Sequence, residues 1–90
     1  MPRSQKFDLI EACRECGFDE AVILHYIEER WLEPAEQVEE NWMFDDEDLA
    51  RARLILELQS EFGVNDEAVP IILHLVDQLN AIRKLVKRVA

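Results

Sequence analysis

The chain has 90 residues, with 20 Asp and Glu against 10 Lys and Arg, a formal net charge of −10, 49% hydrophobic residues, 2 Gly and 3 Pro. This composition describes one folded domain rather than a disordered tail, and a chain this size buries only roughly 60 to 65% of its unfolded surface, so a deep substrate pocket and an autonomous enzyme are not expected. A charge of −10 repels a phosphate backbone, and no apolar run approaches the ~18 residues of a membrane-spanning helix, which argues against nucleic acid and membrane as ligands.

The segment Met1-Pro2-Arg3-Ser4-Gln5-Lys6 lacks the apolar stretch of a signal peptide, so the expected protein is soluble and cytoplasmic. Asp8 caps a predicted first helix over Leu9 to Cys16. Its apolar positions 9, 12, 13 and 16 share one face, and Gly17 supplies a left-handed stop. Asp19 is placed to cap a second helix from Glu20 to Arg30. In it Phe18 and Val22 form a staple, and Ile23, Leu24, Ile27 and Trp31 make the buried stripe. Pro34 then ends the helical run, because the residue before a proline is pushed out of the helical region.

From Ala35 to Phe44 the loose alternation of apolar and polar residues predicts a short β-hairpin. Asp45 caps a third helix from Asp46 to Phe62, with Leu49, Ala52, Ile55, Leu56, Leu58 and Phe62 inward and a stop at Gly63. Asn65 or Asp66 caps a last helix running nearly to Ala90, with Pro70 in its first turn.

That last helix carries Ala68, Ile72, Leu75, Leu79, Ile82, Val86 and Val89 at steps of 4 and 3, a heptad seam. A second stripe, Val69, Leu73 and Val76, stops where Asn80, Arg83 and Lys87 take over. The first half of the helix therefore needs two apolar neighbours and the second half only one. Ile72, Leu75, Leu79, Ile82, Val86 and Val89 are the expected dimer interface; the alternative is a seam folded back on its own domain.

Charge is segregated. Between Glu28 and Asp48 lie ten acids against one base, Arg30, whereas from Arg83 onward come four bases and no acid. A solvated, helix-capping face accounts for such an acidic run as well as a binding surface does. Trp42 and Phe44 inside it favour a basic protein partner, since aromatic anchors ringed by charge mark protein interfaces.

Catalytic and metal chemistry find little support. Cys13-Arg14-Glu15-Cys16 is a lone Cys-x-x-Cys whose only candidate co-ligands, His25 and His74, have no zinc-finger spacing. Cys13 falls mid-helix on the apolar face, where a redox thiolate gains no stabilisation, so both cysteines read as small hydrophobes. No Gly-rich phosphate loop is present, and no pair of carboxylates is held in the distinct, enclosed environments that acid–base catalysis requires. No cofactor is expected.

Two short helices around a Gly turn, the Leu32-Glu33-Pro34 stop, an acidic aromatic hairpin and two longer helices follow the order of a MerR-type winged helix-turn-helix. Phe7-Asp8-Leu9-Ile10-Glu11, Trp31-Leu32-Glu33-Pro34, Trp42-Met43-Phe44-Asp45-Asp46, Leu49-Ala50-Arg51-Ala52-Arg53 and the Gly63-Val64-Asn65 break together resemble the chaperone modulatory proteins of the CbpM family, over about residues 7 to 88. One departure is Arg30-Trp31, where the family usually has small residues before the stop. The resemblance implies a mainly α fold, with a winged helix-turn-helix-like domain over 1–64 and a dimerisation helix over 65–90 in a single structural unit.

The resemblance further implies a non-enzymatic inhibitor that binds the J-domain of a DnaJ-like curved-DNA-binding protein and suppresses its co-chaperone and DNA-binding activities. A J-domain presents a basic second helix, which an acidic surface can occupy in competition with the DnaK-type partner. The expected contact residues are Glu36, Glu39, Glu40, Trp42, Asp45, Asp46 and Asp48, with Trp42 either an interface anchor or core under the wing. MerR-type regulators meet DNA through the second helix and the wing. Here those stretches, Asp19 to Arg30 and Ala35 to Trp42, hold seven acids and one arginine, which opposes every phosphate contact. The rival readings are a MerR-type DNA-binding transcriptional regulator and an acidic module with another protein partner.

Overall fold

The computed structural model describes residues 6–34, 36–39 and 41–89. Glu40, and the side chain of Val89, lie outside the described residues. The elements in order are α1 (Leu9–Cys16), α2 (Glu20–Glu28), β1 (Glu36–Val38), β2 (Asn41–Met43), α3 (Asp46–Ser60) and α4 (Val69–Val89).

α1 starts in a capping box. The Glu11 amide donates to Asp8 Oδ1 at 2.8 Å, and the Asp8 amide donates to Glu11 Oε1 at 3.0 Å, which satisfies two amides left open at the helix start. Gly17 closes it at φ +72°, donating to the Cys13 carbonyl. Ala12 is fully buried, and Leu9, Cys13 and Cys16 pack beside it, the face expected from the spacing.

α2 departs from expectation in three respects. Asp19 occupies the N-cap without a side-chain hydrogen bond, and its backbone carbonyl instead accepts from Val22. The helix ends at Glu28 rather than Arg30. Arg30 turns left-handed at φ +65°, the Arg30 amide donates to the Ile27 carbonyl at 3.0 Å, and the Trp31 amide donates to the Tyr26 carbonyl at 3.0 Å. This is a Schellman closure with arginine at the position glycine usually takes. The reversal tucks Trp31 and Leu32 under the helix, so the buried face turns to Ile23 and Tyr26 while Leu24, expected inside, is 42% exposed.

β1 and β2 pair antiparallel with Glu36 opposite Met43, Gln37 opposite Trp42 and Val38 opposite Asn41. Past β2, Phe44 exchanges both backbone hydrogen bonds with Phe7, each at 2.8 Å, which ties the segment before α1 to the base of the wing. Phe44 is fully buried there.

α3 begins with a second capping box and buries Leu49, Ala52 and Ile55. Leu56 and Leu58 are half-buried, and Leu54 packs against the core. Phe62 is 72% exposed rather than inward, because α3 has already ended at Ser60 and the chain is turning towards Gly63, at φ +65°.

The Ala68 amide donates to Asn65 Oδ1 at 3.0 Å ahead of α4. It is the second stripe that docks: Val69 and Leu73 are buried and Val76 is half-buried. The seam does not fold back on its own domain. Leu75, Leu79, Ile82 and Val86 are 47 to 60% exposed, and every residue from Asp77 to Arg88 is exposed, so α4 leaves the body as an arm. At the point of departure Arg51 of α3 donates from Nε to the Trp31 carbonyl at 2.7 Å and forks onto Asp77 at 2.8 and 3.3 Å, joining the α2 exit, α3 and α4.

Candidate partner-binding surface

The acidic residues around the wing divide by what each already does. Glu36 is exposed on β1 and pairs with Lys6 at 3.2 Å. Glu39 is exposed in the hairpin turn, in a left-handed conformation at φ +57°. Asp46 is exposed in the first turn of α3. Asp45 and Asp48 are half-buried and form the α3 capping box: the Asp48 amide donates to Asp45 Oδ1 at 2.9 Å, and the Asp45 amide donates to Asp48 Oδ2 at 3.0 Å. Their carboxylates hold the helix start before they can serve a partner. Trp42 is half-buried and packs against the core.

Folding also presents a strip that sequence reasoning missed. Glu20, Leu24 and Glu28 are exposed at successive turns along the outer side of α2, with exposed Ala21 beside them. The spacing Glu20, Leu24, Glu28 was readable, but placing Leu24 in the buried stripe concealed it. This strip puts a leucine between carboxylates on the helix that a helix-turn-helix protein lays in the DNA groove.

Along α4, Leu75, Leu79, Ile82 and Val86 are exposed and Ile72 is half-buried. Ile71 and Leu85, at 64% and 58% exposure, widen the seam beyond the residues expected from the heptad spacing. A solvent-open cleft of about 730 Å³ lies on the other side of the arm, between α3 and α4.

The thiols fit their structural reading. Burial pushes the Cys13 thiol up, aided by Glu20, Cys16 and Asp19, and burial likewise raises Cys16 against the opposing pull of Arg53. Burial and then Asp66 raise the Tyr26 phenol. His25 stands edge-on to Trp31 with ring centroids 5.5 Å apart and reaches Asp66 at 3.4 Å, whereas His74 is exposed. Among the described residues no cluster of three or more His, Cys, Asp or Glu is placed to hold a metal ion, and no helix is long and apolar enough to cross a membrane.

Residues 7–90 match the family described as MerR HTH family regulatory protein. The chain is also 26% identical over 78 residues to the chaperone modulatory protein CbpM of Pseudomonas putida (strain W619), covering 87% of this chain and 77% of that protein. The chain belongs to the MerR helix-turn-helix family.

Proposed function

We propose that this protein is a cytoplasmic modulator of a DnaJ-like co-chaperone, binding its J-domain through an acidic surface and blocking its chaperone and DNA-binding activities. The observation that carries this reading is the sign of the charge on the helix-turn-helix elements. The helix and wing that would approach DNA expose Glu20, Glu28, Glu36 and Glu39, and Asp46 stands at the next helix start. Such a surface repels phosphates and attracts a basic helix, raising its association rate and selectivity. Similarity to a protein named chaperone modulatory protein supports the same direction.

The contact set centres on Glu36, Glu39 and Asp46, with Glu40 in the same acidic run. Asp45 and Asp48 contribute potential while capping α3. Trp42 supports the wing from beneath rather than anchoring the partner. The exposed α4 seam, Ile72 to Val86 with Val89 beyond it, pairs two copies into a homodimer, because an apolar stripe of this length left in water is costly.

Titration of an isolated J-domain and of duplex DNA at moderate salt tests the proposal. Saturable J-domain binding, weakened by Glu39→Lys with Asp46→Lys, is expected; these exposed sites leave the capping boxes intact. The family match favours a second reading, a DNA-binding transcriptional regulator. Tight duplex binding with no J-domain signal would establish it in place of the first.

A further inference from the structure

The cleft between α3 and α4 belongs to neither the acidic surface nor the apolar seam. Its α4 wall presents Arg83, Lys84 and Lys87, its α3 wall carries Glu47 and Asp48, and Ala50, Leu54 and Val76 supply its apolar lining. Positions 76, 80, 83, 84 and 87 continue the side of α4 on which Val69 and Leu73 dock, so the bases face back towards α3. The Arg51–Asp77 fork holds the two helices together at the inner end of the cleft.

In a chain with twice as many acids as bases, three neighbouring bases on one wall are informative: of the acids that also line the cleft, Asp77 is taken by Arg51 and Asp48 by the α3 capping box, which leaves Glu47. Among the described residues none of the three has an ion-pair partner, although Glu47 lines the opposite wall. A cleft of about 730 Å³ lies between the two helices. We infer that this cleft is a docking groove for an amphipathic helical segment of a partner protein, with its apolar side on Leu54 and Val76 and a row of carboxylates against Arg83, Lys84 and Lys87.

Charge complementarity and shape select this occupant. The apolar lining suits Leu or Ile side chains, and Ala50 lets a helix approach closely. The bases take carboxylates, and their desolvation is offset only when those are supplied. A polyphosphate is disfavoured by the net charge of −10, and the open side suits a protein segment better than an enclosed small molecule. The groove reads the opposite charge from the wing, so one chain can hold a basic partner and an acidic one at separate places.

The test uses the full chain, ¹⁵N-labelled, with two synthetic 18-residue helical peptides that share one leucine face and carry either Glu or Lys along its edge. The Glu peptide is expected to bind saturably and shift the amides of Ala50, Leu54, Asn80 and Ala81, and the Lys peptide is not. The triple variant Arg83→Gln, Lys84→Gln, Lys87→Gln changes only exposed side chains, so its spectrum stays folded, and its affinity for the Glu peptide falls about tenfold. Equal binding of both peptides, unchanged affinity in the triple variant, no binding at all, or shifts confined to Leu75, Leu79 and Ile82 would each overturn the inference. J-domain titration of the same variant is expected to be unchanged, which keeps this inference separate from the proposed function.

Discussion

Replacing Leu79 and Ile82 with alanine distinguishes an arm built for pairing from one that is merely amphipathic. Both sit on the open side of α4, 47% and 56% exposed, so about half of each side chain remains to be buried by a partner. Full burial of Leu or Ile is worth ~1.5 to 3 kcal/mol, which leaves about 1 kcal/mol per residue for the half still open. Two residues on each of two chains then lose about 4 kcal/mol of dimerisation free energy, roughly a thousandfold in Kd. The monomer loses far less, because neither side chain belongs to the buried core. Sedimentation equilibrium from one to one hundred micromolar should show a wild-type dimer and a monomeric double variant, with superimposable circular dichroism. The reasoning fails if the wild type is monomeric throughout, or if the variant dissociates only because it has unfolded.

Asp45→Ala removes the α3 cap and should cost about 1 kcal/mol, lowering Tm by roughly 4 to 8 °C, whereas Asp46→Asn should move Tm by less than a third as much; calorimetry on both separates the structural acids from the exposed one. Arg51 beside Asp77, chiefly through its hydrogen bonds, holds that carboxyl below the usual carboxylate range. Asp77 therefore contributes stability that is present above its unfolded pKa and is lost as pH falls through its folded value. The effect is small because Asp77 is half-exposed, and urea midpoints between pH 6 and 2 should fall slightly more steeply for wild type than for Asp77→Asn. Since burial raises both thiols, iodoacetamide at pH 8 should modify Cys13 and Cys16 more slowly in the folded chain than in urea; equal rates would refute their burial. Arg30→Gly relieves a left-handed non-glycine residue and should raise Tm by a few degrees if the closure after α2 is as described.

Local signals settled much of this molecule in advance. Asp8 with Glu11, Gly17, Asp45 and Asn65 mark where helices start or stop, because capping and left-handed turns satisfy backbone groups within a few residues of chain. The hairpin and the pairing of apolar positions on α1 were legible for the same reason, and the family resemblance supplied their order in the fold. Leu24, Phe62 and the exit of α2 were not legible. Which side of a short helix is buried depends on what packs against it, and the turn at Arg30 swings Trp31 and Leu32 into the place that periodicity assigned to Leu24. On α4 the heptad seam is the stripe expected from the sequence to meet a second copy, but periodicity alone leaves open the alternative of a seam folded back on its own domain. Packing docks Val69 and Leu73, and Arg51 reaches across more than twenty positions to Asp77 to hold the arm there, leaving the heptad seam in solvent. Asp45 was legible as the α3 cap, but only the folded chain shows that Asp48 completes the capping box while Asp46 faces outward, because a hydrogen-bonded carboxylate and an exposed one leave the same letter in the sequence.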